Sequence, residues 1–186
     1  DTEETLDELA GTLASAKSFA FDVQATSKDP MRADLVGIAF SVEPGRGWYV
    51  PVGHSEGRQL PAETVLGRIG PLFESEEIGK SAHNANFDMT VLAKHGTQVR
   101  NLEFDTMLAA HLVGKKAIAL KALALDYFGH EMTPINDLIG TGRKQVTMAE
   151  VPIEKASDYA SAEADFTQRL HGVLEKEVEK TGAAEL

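Results

Sequence analysis

The chain has 186 residues, 42% hydrophobic and 25% charged, which suits one globular domain with a sizeable core, and it has no cysteine, which excludes disulfides and thiolate metal sites and is compatible with a cytoplasmic protein. The net charge of −11 argues against broad electrostatic capture of nucleic acid, so a phosphate-bearing partner needs metal ions or basic regions outside this segment. No apolar run approaches the roughly 20 residues that span a bilayer, and no signal peptide is evident.

From Thr2 to Lys17, Leu6, Leu9 and Leu13 fall on a helical period behind an acidic first turn, which predicts a helix. Ser18 to Thr26 follows as the stretch around which the chain is organised. Phe19 and Phe21 alternate with Ala20 and Asp22 ahead of a cluster of turn formers, the pattern of a strand over Phe19 to Val23. Asp34 to Val42 and Gly47 to Val52 are strand-like runs joined by Glu43-Pro-Gly-Arg, so the first three strands form an antiparallel meander. Gly53 to Pro61 reads as a polar loop and Ala62 to Phe73 as a helix broken at Gly70-Pro71.

A short strand over Glu77 to His83 leads into a helix over Asn84 to His95, closed by Gly96; Val99 to Phe104 is another short strand. Asp105 to Val113 reads as a helix with Met107, Leu108, His111 and Leu112 at helical spacing and Gly114 as its stop. Leu120 to Phe128 is helical, Gly129 to Val151 loop-rich, and Ile153 to Val178 a long helix with a polar, fraying end. Strand–helix alternation after a meander predicts an α/β fold, a mixed sheet with helices on both faces. Residues 1–186 read as a single domain, and the start at Asp1 without a methionine reads as a piece of a longer protein.

Three places put acidic groups where chemistry is plausible. Asp22 and Gln24, two apart, leave one face of the first strand. Asp88 lies in the first turns of a helix whose N-terminus favours an anion. Tyr159 and Glu163 are four apart and share a helix face, whereas Asp165 points elsewhere. Plainer roles exist for each: a turn-opening Asp22, a surface Asp88, a packed Tyr159, and Glu163 and Asp165 on a solvated face.

Taken in order, these stretches resemble the 3′→5′ proofreading exonuclease domains of family A DNA polymerases such as bacterial DNA polymerase I. F-A-F-D-V-Q-A-T-S with L-V-G-I-A-F-S-V-E-P-G is similar to the first motif and following strand; N-A-N-F-D-M-T-V-L, with Asn84 and Asp88, to the second; F-D-T-M-L-A-A-H-L to a later segment; and D-Y-A-S-A-E-A-D-F-T-Q-R-L-H to the third. The resemblance implies a ribonuclease-H-like fold with a mixed five-stranded sheet, three antiparallel strands and then parallel ones. It also implies two divalent metals, Mg²⁺ or Mn²⁺, about 4 Å apart, that activate water and stabilise the leaving oxygen. The implied substrate is a single-stranded DNA 3′ end. The implied setting is the bacterial cytoplasm, as a monomer covalently continuous with a polymerase domain.

Carried over by residue, Asp22 and Asp88 are metal ligands, Tyr159 positions the attacking water, and Asn84 meets the substrate. Two ligand positions depart from the family pattern. Asp-x-Glu is here Asp22-Val23-Gln24, and Tyr-x-x-x-Asp is here Tyr159-Ala-Ser-Ala-Glu163. Gln24 removes one negative charge from a site for hard dications, and Glu163 adds a methylene. The expectation is weak or absent activity. The alternatives are an inactive module that braces the polymerase and contacts DNA, or a stand-alone ribonuclease. Arg143 and Lys144 read as part of a solvated loop, with contact to a DNA backbone as the other reading.

Overall fold

The computed structural model describes residues 1–182, so the extreme C-terminal part of the domain range and of the polar end lies outside the described residues. In order, the elements are α1 (Glu3–Ser15), β1 (Ser18–Ala25), β2 (Leu35–Glu43), β3 (Arg46–Pro51), α2 (Ala62–Glu74), β4 (Gly79–Ala82), α3 (Ala85–Lys94), β5 (Leu102–Asp105), α4 (Thr106–Leu112), α5 (Leu120–Phe128), α6 (Ile135–Ile139) and α7 (Ile153–Thr181). The five strands lie in the order β3-β2-β1-β4-β5; β1 pairs antiparallel with β2 and β2 with β3, and β4 pairs parallel with both β1 and β5. This is the ribonuclease-H-like architecture. No helix among the described residues is long and apolar enough to cross a membrane.

The central strand β1 explains how a carboxylate comes to be enclosed. Its odd residues Phe19, Phe21 and Val23 enter the larger core with Leu6, Leu9, Leu13, Val65 and Ile69 from α1 and α2. There the Phe73 ring sits 5.6 Å from that of Phe19 and 5.0 Å from that of Phe21, edge to face. Strand alternation then directs Ala20, Asp22 and Gln24 to the opposite face, which α7 covers. Small residues bring that helix close. Ala39 packs with Ala160 and Ala164, and a Cβ built on Gly47 would lie 2.7 Å from the Ser161 carbonyl oxygen. The Gly45 N–H, in the β2–β3 turn, donates to Asp165 at 2.6 Å.

One sequence expectation changes. Helix α2 is not broken at Gly70-Pro71 but continues to Glu74: Pro71 is exposed, and so is Gly67, whose carbonyl loses its i+4 donor to the proline. Helix α4 forms as expected, and Thr106, Ala109 and Ala110 are its buried residues, while Leu108 and Leu112 remain 58% and 50% exposed. The loop-rich stretch, residues 129–151, also holds α6 and two 3₁₀ turns, Gly142–Lys144 and Met148–Glu150.

Candidate active site

Parallel pairing of β1 with β4 stops at Ala20–Ser81, and the chain then turns through Asn84 into α3. Beyond that point the β1 edge has lost its neighbouring strand. The Val23 N–H is satisfied by a side chain instead, donating to Asp88 Oδ1 at 3.1 Å. Asp88 is only 3% exposed. Over the same end of β1 lies α7, whose Tyr159 and Glu163 share one face. Gln24 Nε2 donates to Asp22 Oδ2 at 2.6 Å and to Glu163 Oε2 at 3.3 Å, so one amide bridges two carboxylates.

These side chains and Asn84 line one groove of about 720 Å³. All six residues singled out in the sequence (Asp22, Gln24, Asn84, Asp88, Tyr159 and Glu163) are therefore brought together there. Gln24 and Tyr159 are buried, Asp22 and Glu163 half-buried, and Asn84 is exposed. Asp165 is elsewhere, held by Gly45 and by a two-pronged pair with Arg169 at 3.0 and 2.8 Å. Arg143 and Lys144 are exposed in the first 3₁₀ turn, while the adjacent Gln145, Val146 and Thr147 line the groove.

The electrostatics are those of crowded acids with few cations. Burial, then the neighbouring Glu163, holds the Asp22 carboxyl well above the usual carboxylate range. Burial, then Asp22, does the same to Asp88, and burial raises Glu163. The neighbouring Tyr159 phenol partly offsets that rise; burial, then Glu163, pushes the Tyr159 phenol up. Lys121 on α5 was not anticipated. Its Nζ lies 5.3 Å from the centre of the Tyr159 ring, and its charge favours ionised Glu163. An isolated Lys on a short amphipathic helix gives no sequence signal for such a place.

Buried carboxylates that oppose each other's ionisation fit a hard cation in chemistry, since every donor here is an oxygen once the Gln24 amide presents its carbonyl. Among the described residues, though, no three acidic or histidine side chains stand close enough together to hold an ion. Two of the acids, Asp22 and Glu163, are bridged by the Gln24 amide nitrogen instead.

A family model described as 3′-5′ exonuclease matches residues 1–179. The chain belongs to this 3′-5′ exonuclease family. This exonuclease-family chain is 43% identical to DNA polymerase I of Chloroflexus aurantiacus over 180 residues, 94% of its own length and 19% of the relative's. It is 37% identical to DNA polymerase I of Pseudomonas aeruginosa over 174 residues, covering 90% of itself and 19% of that protein. It thus spans about a fifth of the length of these curated relatives. Among solved structures, the catalytic core of Trypanosoma brucei RRP6 superposes with a TM-score of 0.76 at 20% identity, covering 98% of this chain and 46% of that one. Brucella melitensis NrnC with bound Mg²⁺ gives 0.68 at 18% identity, covering 92% and 78%. At such identities these two likenesses are of fold.

Proposed function

We propose that this chain is the 3′→5′ exonuclease domain of a DNA polymerase I, acting as a monomeric unit on the single-stranded 3′ end of DNA, with weakened Mg²⁺ or Mn²⁺ binding and low activity. The observation that carries the reading is the Gln24 amide joining Asp22 to Glu163 at 2.6 and 3.3 Å inside an acidic groove. Where a fourth carboxylate would demand a cation, a neutral donor already satisfies two of the three acids. The family membership and the DNA polymerase I relatives support DNA as the substrate class.

In this reading Asp22, Asp88 and Glu163, with the Gln24 carbonyl oxygen, hold the divalent metal. When bound, the metal supplies activation of a water and stabilisation of charge at phosphorus. Asp22, Asp88 and Glu163 must first give up any protons that burial and mutual repulsion favour, so protons compete with metal. Gln24 must turn its amide to present oxygen. The Tyr159 hydroxyl, which lines the groove with Glu163, would orient the attacking water, and Asn84 would meet the terminal nucleotide at the mouth of the groove. The test is release of nucleotides from 3′-labelled single-stranded DNA with Mg²⁺, Mn²⁺ or EDTA. Slow, metal-dependent release that vanishes in Asp88→Ala supports the reading.

The same bridging amide favours a second reading, a module that braces the polymerase portion and contacts DNA without cutting it. A site satisfied without metal is stable as scaffold. No release in either metal, with DNA still bound, selects this reading.

A further inference from the structure

Helix α3 starts without a cap of its own. Its N-cap residue Asn84 lies in the left-handed region at φ 65° and ψ 53° and makes no side-chain cap bond. Asparagine tolerates this conformation better than most residues, but the first backbone N–H groups of any helix still need partners. They find one on the next strand. Asp105, the last residue of β5 and the N-cap of α4, accepts from Asn84 N at 3.1 Å and Ala85 N at 2.8 Å. It also accepts from Met107 N at 2.9 Å and Leu108 N at 3.3 Å. One carboxylate thus serves the starts of two helices: Oδ2 takes Ala85, and Oδ1 takes the other three. Next to it, Thr106 Oγ1 is hydrogen-bonded to His83 Nδ1 at 2.8 Å and reaches the Ala82 carbonyl at 3.3 Å, a second tie between the ends of β4 and β5.

We infer that Asp105 is a positioning residue for the site, fixing Asp88 and Asn84 by capping α3 from outside. Because Asp105 meets the backbone donors, Asn84 need not turn its side chain back as a cap, and it lines the groove instead. Asp88, in the first turn of α3, is held where its Oδ1 meets the Val23 N–H at 3.1 Å. A Ser or Thr at position 105 would cap α4 alone, since its hydroxyl is one bond shorter than the carboxylate and offers one oxygen where Asp105 spreads four N–H groups over two. The inference rests on the reading of Asp88 as a metal ligand, and a metal-free measurement separates the two.

The variant to make is Asp105→Ser, which keeps an N-cap for α4; Asp105→Ala would uncap both helices. Amide hydrogen exchange in EDTA should quicken about tenfold at Asn84, Ala85 and Val23, while Met107 and Leu108 keep their protection. Mn²⁺ affinity should fall about 10- to 100-fold, the range for loss of a group that orients a ligand. Asp105→Asn, with one acceptor oxygen left, should fall between Ser and the parent. Unchanged exchange at Val23, Asn84 and Ala85 in folded Asp105→Ser would overturn the inference. If the parent chain binds no Mn²⁺, the metal reading fails, and the exchange at Val23 still decides whether Asp105 positions Asp88.

Discussion

Gln24→Glu puts a fourth carboxylate where an amide now bridges Asp22 and Glu163. The amide's two bonds to charged acceptors, at 2.6 and 3.3 Å, are lost. Bonds of that kind contribute about 1.5–3 kcal/mol each. Like charges about 3 Å apart then repel by roughly 5 kcal/mol per pair at an effective dielectric of about 20, enough to make the metal-free site take up protons. A divalent ion that binds the ionised site recovers part of this. Recovery of only a third of one pair, about 1.7 kcal/mol, exceeds the roughly 1.4 kcal/mol that corresponds to tenfold in Kd. Isothermal titration with Mn²⁺ at pH 8 should therefore show at least about tenfold tighter binding than in the parent. The metal-free variant should also melt at a lower temperature at that pH. A Kd within about twofold of the parent would refute the reasoning, because the defect would then lie in Glu163 or in the spacing of the carboxylates.

The remaining predictions concern charge and packing. The Asp22 and Asp88 carboxyls sit above their unfolded values, so the stability they contribute is complete below about pH 4 and is lost as pH rises through their folded values. Urea denaturation in EDTA should show stability falling from acid toward neutral pH, with Mn²⁺ reversing the fall and Asp88→Asn flattening it. Lys121→Met removes a cation that competes with metal near Glu163; Mn²⁺ affinity should rise about two- to fivefold while loss of the contact over Tyr159 lowers stability by about 0.5–1 kcal/mol. Asp165→Ala should destabilise the fold by about 1–3 kcal/mol, by releasing Gly45 and Arg169, and leave Mn²⁺ affinity unchanged.

The strands were legible because their signals are local: the Phe19–Phe21 alternation and the Pro-Gly turn each set one feature of the sheet. Convergence of Asp22, Asp88, Tyr159 and Glu163 was legible only through resemblance, because residues 65 or more apart in sequence meet where β4 ends and α7 crosses β1. Gln24 was readable as a lost charge. Its second role, as donor to two acids, depends on where α7 lies and has no sequence signature. Asp105 begins a recognisable helix start, yet nothing local says that its other oxygen reaches α3. The unbroken α2 was misread because a Gly-Pro pair does not say which side of a helix faces water, and helical spacing alone did not show that Leu108 and Leu112 stay exposed.

In the proposed function the two altered ligand positions, Gln24 and Glu163, limit an otherwise complete exonuclease site. The deciding measurement is the single-turnover rate of nucleotide release from single-stranded DNA in Mg²⁺, comparing the parent with the double variant Gln24→Glu, Glu163→Asp. The double variant should be faster by about 10²-fold or more, the scale of a ligand displaced by about 1 Å. Asp88→Ala should abolish release in both backgrounds. A parent as fast as the double variant, or release that survives Asp88→Ala, would contradict the proposed function.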